Sequence, residues 1–432
     1  MQRVRDMKGR LFSLYARQYG LHHMNRLHPV DGALNGGSID LAAAKDNTDL
    51  LYIHIPYCES LCPYCTFHRI QYDARSAAAY FQALQQELTL YHWLGYQFTA
   101  LYIGGGTPTV NSKLLKKLVL FARKLFPIDQ LSVETNPNFL TNDNVLFLKD
   151  LGVNRLSVGV QSLQNDLLDQ MGRLNPYGDK ARILAHLSRA IPEFDTVNID
   201  MIFNLPGQTE AQLLSDLDTI NNLKPTQVSW YPLMPSRQSA KAMSKSMGTF
   251  SFTQEHAFYR LIDDAMAVQY QAGSAWCFNL KDHPSAIDEY VVTHENYVGV
   301  GSGAFGYQNG QLMATSFSID DYIERVNSGH SGITQMQRMS HTEVLRYQLL
   351  MQLFSLKVPH RFWLERYQLL PDQLFGRELK ILRWMGAIDI DQDGIRLTQY
   401  GRYVWVVLMR EFFMGVNQYR STMRQLVNPA VQ

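Results

Sequence analysis

The chain has 432 residues, 46% of them apolar, with 40 Lys and Arg against 39 Asp and Glu and a formal net charge of +1. That length exceeds one simple core and points to two or three domains with a large buried interior. The balanced charge excludes an overall basic field for nucleic acid, and no apolar run reaches the ~18 residues that would cross a bilayer.

Residues 1–48 read as an extension ahead of the main fold. Arg3, Arg5, Lys8, Arg10, Arg17 and Arg26 face a single acid, Asp6, before residue 30. This suits either an amphipathic segment packed on the body or a surface for an anionic partner or membrane. The start lacks the apolar stretch of a signal peptide, so a cytoplasmic protein is expected. VDGALNGGSID (30–40) has the composition of a linker.

From Leu50 the pattern becomes rhythmic. Strand-like runs occur at LLYIHI (50–55), ALYIGG (100–105), LSVET (131–135), RLSVGVQ (155–161), VNIDMIF (197–203) and QVSWYPL (227–233). Helix-like stretches such as SAAAYFQALQQELTLYHWLG (76–95) and KLLKKLVLFARKLF (113–126) separate them. Alternation of this kind predicts βαβ units and a parallel sheet. Six units are too few to close the eight-stranded barrel. The expectation is an α/β fold with a partial (β/α)6 TIM-like barrel over residues 49–240.

Residues 241–334 read as the barrel edge and a connecting region, with glycine-rich YVGVGSGAFGY (297–307) at that edge. Residues 335–432 read as a separate helical, winged-helix-like C-terminal domain. Its signals are LRYQLLMQLF (345–354), ELKILRWMG (378–386) and AIDIDQDGIRLTQYG (387–401), where Asp393-Gly394 marks a hairpin turn. Without a basic excess it reads as a substrate lid, not a DNA reader. YVWVVLMREFFMGV (403–416) is too short to span a membrane; it either packs in the core or rests against lipid as a peripheral contact.

Three of the four cysteines, Cys58, Cys62 and Cys65, fall within CESLCPYC (58–65). In a reducing compartment such clusters mean metal or redox chemistry more often than disulfides. A structural zinc site takes four protein ligands. Three thiolates suit a [4Fe–4S] cluster that leaves one iron for a non-protein ligand. Pro63 argues against a regular helix that would merely bury the thiols. The loop follows a predicted strand, where α/β folds place their chemistry.

CESLCPYC resembles the signature of radical S-adenosylmethionine enzymes. The resemblance implies that the open iron chelates S-adenosylmethionine. One electron, from a donor such as flavodoxin or ferredoxin, then yields a 5′-deoxyadenosyl radical. GGGTPT (104–109) resembles the family motif that meets the cofactor's amino group, which implies roles for Gly104, Gly105, Gly106 and Thr107. It is not a Walker loop, because the Lys-Ser/Thr pair is missing.

YIHIPYC, SVETNP, RLSVGVQS and NIDMIFNLPGQT are similar to the HemN-like branch, which contains oxygen-independent coproporphyrinogen III dehydrogenase (oxidase). By that resemblance Tyr52 and Tyr64 flank the cluster and cofactor. Glu134, Gln161 and Arg173 bind the cofactor's polar groups, Asp200 takes ribose hydroxyls and the Ile202 backbone meets adenine. These chemistries are sensible, since a carboxylate accepts two hydroxyl protons and Arg suits a carboxylate.

Departures from the pattern sort the branch. The coproporphyrinogen enzyme carries a fourth cysteine where this chain has Phe67. The heme-chaperone members match at Phe67 but carry H-N-x-x-Y-W, where this chain has AIDEYV (286–291). Tyr290 is kept, Ala286 and Ile287 replace His and Asn, and His294 lies nearby. The branch also holds class C methyltransferases, which use two S-adenosylmethionine molecules on flat aromatic substrates. The 12% aromatic content, with Trp230-Tyr231 and Trp276-Cys277-Phe278, suits stacking on such rings. The leading expectation is therefore C-methylation of an aromatic substrate such as a menaquinone. The alternative is a tetrapyrrole-processing enzyme or a heme-binding chaperone.

Overall fold

The computed structural model describes residues 26–30, 48–283 and 294–427. Strand β1 (Leu50–Ile55) leads through a long loop to helix α1 (Ala74–Trp93). The alternation continues through β2 (Ala100–Gly105), α2 (Ser112–Leu125), β3 (Gln130–Thr135), α3 (Asn142–Asp150) and β4 (Arg155–Gln161). It is completed by α4 (Lys180–Ala190), β5 (Thr196–Phe203), α5 (Glu210–Leu223) and β6 (Gln227–Pro232). Each strand of β1–β6 is hydrogen-bonded in parallel to the next.

Local chemistry explains these elements. β1 is buried at every position, as expected of a parallel strand covered on both faces. In α2, the buried Leu115, Leu118, Val119 and Ala122 recur at helical spacing. Asn111 caps its start by accepting from the Leu114 N–H at 3.1 Å, and Pro127 follows its end.

Residues 241–334 extend both margins of the sheet. After helix α6 (Glu255–Met266), β7 (Tyr270–Ala272) and β8 (Cys277–Leu280) add antiparallel strands beyond β6. At the other margin lie β9 (Tyr297–Val300), β10 (Phe305–Gln308), β11 (Gln311–Thr315) and, after α7 (Ile319–Asn327), β12 (Ile333–Arg338). Among the described residues the sheet has 13 strands, in the order His28–Pro29, β12, β11, β10, β9, β1, β2, β3, β4, β5, β6, β8, β7. The segment YVGVGSGAFGY lies at the barrel margin as expected, but as two strands instead of one. β9 pairs in parallel with β1, and the chain turns through Gly301 (φ 91°) and Gly303 (φ 79°) into β10.

The C-terminal residues fold as α8 (His341–Phe354), β13 (Lys357–Pro359), α9 (His360–Tyr367), α10 (Pro371–Trp384), β14 (Ile388–Ile390), β15 (Gly394–Leu397) and the long α11 (Gln399–Val427). β13, β15 and β14 form a small separate sheet beside the helices, the expected winged-helix-like arrangement. The hairpin turn is organised by Asp391, whose carboxylate accepts from the N–H of Asp393 and of Gly394. The register pairs Ile390 with Ile395, and Asp391 N–H donates to the Gly394 carbonyl at 3.0 Å, so the turn is centred on Gln392-Asp393 instead of Asp393-Gly394.

α11 rests on this hairpin unit through Gly401, where an added Cβ would lie 1.8 Å from the Ala387 carbonyl oxygen. Helix propensity alone favours Gly401→Ala by up to about 1 kcal/mol. The backbone collision reverses that sign, and we expect a net loss of about 1–3 kcal/mol as a lowered Tm. A raised Tm would show that α11 can slide off the hairpin at no cost.

Of the expected N-terminal extension, Arg26 to Val30 and Thr48 are described. Arg26 pairs with Glu343 of α8, and His28–Pro29 form the sheet's outermost strand. Arg3, Arg5, Asp6, Lys8, Arg10 and Arg17, most of the expected linker and the AIDEYV stretch lie outside the described residues. No described helix is long and apolar enough to cross a membrane.

Candidate active site

The cysteine loop leaves the C-terminal end of β1. Its base is closed where Ile70 N–H donates to the Pro56 carbonyl at 2.7 Å and Tyr72 N–H to the Cys58 carbonyl at 2.9 Å. Inside the loop, Arg69 donates from Nη2 to the carbonyls of Cys62 and of Cys65 (3.2 Å for the latter). This bond pair folds the segment between the thiols around one guanidinium.

The glycine turn after β2 is stitched to the same loop. Gly106 N–H donates to the Ile55 carbonyl at 2.7 Å and Thr107 N–H to the Tyr57 carbonyl at 2.8 Å. The Thr107 hydroxyl donates to Cys58 Sγ at 3.5 Å, and Arg173 Nη1 to Cys62 Sγ at 3.7 Å. Cys58 and Cys62 are buried, and Cys65 is half-buried. Burial pushes the Cys58 thiol up to about 12, against the pull of the Thr107 hydrogen bond. Cationic iron would reverse that balance, because a coordinating thiol is deprotonated.

A polar cradle continues from the thiols across the strand ends. Glu134, at the end of β3, accepts from the Tyr102 hydroxyl at 3.0 Å and the Gly105 N–H at 2.9 Å. A Cβ on Gly104 would stand 2.6 Å from Glu134 Oε1, so the glycine is what admits this carboxylate. On β5, Asp200 accepts from the Ser157 hydroxyl at 3.0 Å and from Asn198 Nδ2 at 2.7 Å. Gln161 ends β4 with a φ of 76°, beside a register shift in the ladder. Arg173 bridges Asn136 Oδ1 (2.9 Å), the Gly159 carbonyl and the Tyr64 hydroxyl (3.3 Å), and stacks 4.1 Å over the Tyr177 ring.

On β1, Tyr52 and His54 share a face. The His54 Nε2–H donates to the His68 carbonyl at 2.8 Å, which leaves Nδ1 to accept from the Tyr52 hydroxyl at 3.0 Å. Burial pushes His54 down to about 4, so the imidazole is neutral at pH 7 and that tautomer is fixed by its partners.

One cavity of about 400 Å³ gathers these groups. Its lining includes every expected site residue except Gly104, which acts from behind by making room for Glu134. Beyond the cradle the wall turns apolar. Tyr297, Phe305 and Tyr307 come from the β9–β10 margin, Tyr347 and Leu350 from α8, and Phe412, Phe413 and Val416 from α11. The segment expected either in the core or on lipid thus divides: Val404, Trp405, Val406 and Met409 are buried, while its later residues wall the cavity.

Of the aromatic pairs, Tyr231 and Trp276 reach the cavity, with ring centroids 5.4 Å apart. Trp230, Cys277 and Phe278 pack away from it in the core. His294 is bonded to Asp49 at 2.9 Å, away from the cavity lining.

Arg69, Asn136, His54, Tyr102, Ser157 and Arg420 line the cavity without having been singled out in the sequence. Strand alternation could have found three of them. Tyr102 lies two residues before Gly104, Ser157 four before Gln161, and His54 two after Tyr52.

The residues fit an iron–sulfur cluster with a bound sulfonium cofactor on two observations. Three thiols leave one closed loop with no disulfide among them. A Cβ at Gly106 would lie 3.0 Å from Cys58 Sγ, so backbone is held against the thiol. Among the described residues no three His, Cys, Asp or Glu side chains converge to hold a single ion. A cluster in which each of three irons takes one thiolate does not require such convergence.

Comparison with known proteins agrees with this chemistry. The radical SAM superfamily profile matches residues 52–220. The heme chaperone HemW of Bacillus subtilis is 29% identical over 367 residues, covering 81% of this chain and 95% of that one. The heme chaperone HemW of Lactococcus lactis is 31% identical over 281 residues, covering 63% of this chain and 73% of that one. Among solved structures, the coproporphyrinogen III oxidase HemN of Escherichia coli superposes with a TM-score of 0.72 at 23% identity, covering 86% of this chain and 91% of that one. That match bears out the partial barrel with its helical C-terminal region.

Proposed function

The chain belongs to the HemN-like branch of the radical S-adenosylmethionine superfamily, and from that premise we propose that it is an enzyme whose substrate is a tetrapyrrole. The observation that carries the reading is one cavity that joins three cysteine thiols, a polar cradle and a broad aromatic wall. A tetrapyrrole is broad and apolar over its ring face and anionic at its carboxylates, and such a wall suits that face. The relatives support this choice: those compared above are a coproporphyrinogen oxidase and heme chaperones. Methyl transfer to a quinone, the leading expectation from the sequence, gains no support from them.

When bound, the cluster and S-adenosylmethionine supply the 5′-deoxyadenosyl radical of this superfamily. The chain's own residues do the rest. Cys58, Cys62 and Cys65 hold the cluster. Glu134, with the Gly105 and Gly106 backbone, would hold the cofactor's amino group, Arg173 its carboxylate and Asp200 its ribose hydroxyls. Tyr64, Gln161, Thr107 and Ile202 complete that pocket, and Tyr52 flanks it. Neutral His54 holds the Tyr52 hydroxyl as its acceptor, so this pair presents no charge to the ring. α8 and α11 wall the cavity with apolar side chains, which would keep water from the reacting groups.

The test is anaerobic turnover of the reconstituted chain with dithionite in place of its flavodoxin- or ferredoxin-type donor. Heme, coproporphyrinogen and menaquinone are supplied in parallel. We expect 5′-deoxyadenosine formation to accelerate with a tetrapyrrole and not with the quinone. Carbon dioxide release would assign decarboxylation. S-adenosylhomocysteine with a methylated ring would assign methyl transfer, and with it the second S-adenosylmethionine. Stoichiometric heme binding without turnover would replace catalysis by carriage, and acceleration by the quinone alone would overturn the reading.

A further inference from the structure

The strand ends beside the cysteine loop carry a hydrogen-bond chain whose direction is fixed by its chemistry. It begins at the buried Arg173, whose Nη2 donates to Asn136 Oδ1 at 2.9 Å. A guanidinium has no acceptor, so the Asn136 amide must turn its oxygen to Arg173 and its nitrogen the other way. Asn136 Nδ2 accordingly donates to the Thr107 hydroxyl oxygen at 3.0 Å. With that donor on its oxygen, the hydroxyl places its own proton on Cys58 Sγ, 3.5 Å away.

The sequence holds both side chains in place. Asn136 follows β3 directly, and Pro137 after it keeps its backbone extended, at φ −114° and ψ 157°. Thr107 ends the glycine turn after β2, where its N–H is tied to the Tyr57 carbonyl at 2.8 Å. Arg173, Asn136, Thr107 and Cys58 are all buried, so water does not compete for these bonds. The cluster and cofactor assignments leave Asn136 without a task.

We propose that Asn136 is a positioning residue that raises the cluster's reduction potential by aiming the Thr107 hydroxyl at the Cys58 sulfur. The proposal rests on the cluster assignment and not on the identity of the substrate ring. One electron enters the cluster from dithionite or from a flavodoxin- or ferredoxin-type donor, and no bond forms or breaks at this step. The added electron makes the thiolate sulfur a stronger acceptor, so a donor aimed at it favours the reduced form. The hydroxyl thus makes the electron easier to load before S-adenosylmethionine is cleaved.

The experiment is a potentiometric titration of the anaerobically reconstituted full chain. It is read by the paramagnetic resonance of the reduced cluster, with iron and sulfide content as the check on loading. The proteins are the parent, T107S, T107V, N136D, and T107V combined with N136D. T107V removes the hydroxyl at unchanged charge. We expect its reduction equilibrium to fall about 3- to 10-fold, tenfold being ~59 mV for one electron. T107S keeps the donor and should stay near the parent's value. In N136D the carboxylate keeps Arg173 but offers Thr107 an acceptor, so the hydroxyl turns from the sulfur. The potential falls there too, part of it from the added charge. The positioning role is read from the combination: T107V should shift the parent and leave N136D unmoved. Equal T107V shifts in both backgrounds, or a parent-like potential in cluster-loaded T107V, overturn the proposal. Should N136D not hold the cluster, N136A replaces it in the same comparison. Cluster loss from both would make Asn136 part of the loop's scaffold and overturn the positioning role. A parent that takes up no cluster overturns the cluster assignment and this inference with it.

Discussion

Replacing Cys62 with Ala should remove the brown iron–sulfur absorbance and abolish reductive cleavage of S-adenosylmethionine. Cys62 is buried at the centre of the loop, and its thiol faces the Arg173 guanidinium. Cys277, the one cysteine outside the loop, is fully buried in β8 and cannot substitute for it. Two thiolates do not retain a cluster that needs three. The loop's shape depends on the closure by Ile70 and Tyr72 and on Arg69, not on the Cys62 side chain. The apo form of the variant should therefore unfold close to the parent's Tm. Iron and sulfide content, absorbance and 5′-deoxyadenosine are read after anaerobic reconstitution, with Cys277→Ala as the control that retains the cluster. A Cys62→Ala protein with full iron content and turnover would falsify the ligand assignment.

The second large effect is on stability. Arg410 of α11 is buried against α6, where it bonds Glu255, and it also bonds Glu411 Oε1 at 2.7 Å. Its guanidinium lies 3.8 Å over the Phe252 ring, and the Tyr403 hydroxyl donates to Glu255 at 3.2 Å. Arg410→Ala removes this cation from the buried Glu255 carboxylate, and we expect a loss of about 3–5 kcal/mol. Burial already raises Glu255 above the usual carboxylate range, with Arg410 pulling it down; removing Arg410 raises it further. A group with a raised folded-state pKa binds more protons in the native state, so its unfavourable contribution grows as pH rises through that pKa. The deficit of Arg410→Ala relative to the parent should therefore narrow as pH falls. Denaturant unfolding of the apo forms at two pH values checks both statements. A deficit below about 1 kcal/mol, or one that widens in acid, would show that the pair does not anchor α11. Because α11 also carries Phe412, Phe413 and Arg420 into the cavity, ligand affinity should weaken in the same variant.

The sequence by itself determined what is local. LLYIHI, ALYIGG and RLSVGVQ coincide with β1, β2 and β4, because short β-rich runs between turn residues have one stable local use in a parallel sheet. The cysteine spacing was legible for the same reason: all three thiols come from one loop. Only the tertiary structure decided what depends on pairing between distant segments. YVGVGSGAFGY read as one strand at the barrel edge; its pairing with β1, far back in the chain, and the turn its glycines hide between two strands emerge only in the fold. Trp230 and Tyr231 looked equivalent, yet neighbours on a strand point to opposite faces, and the register sends Tyr231 to the cavity and Trp230 to the core. Arg420 had no local signal at all. Its partner Phe67 is brought beside it, and Arg424 beside the Phe67 carbonyl 357 positions away, only because α11 folds back across the barrel mouth. Spacing along a chain specifies a loop's ligands and a strand's period, but a wall assembled from three separate segments exists only once their burial has been satisfied together.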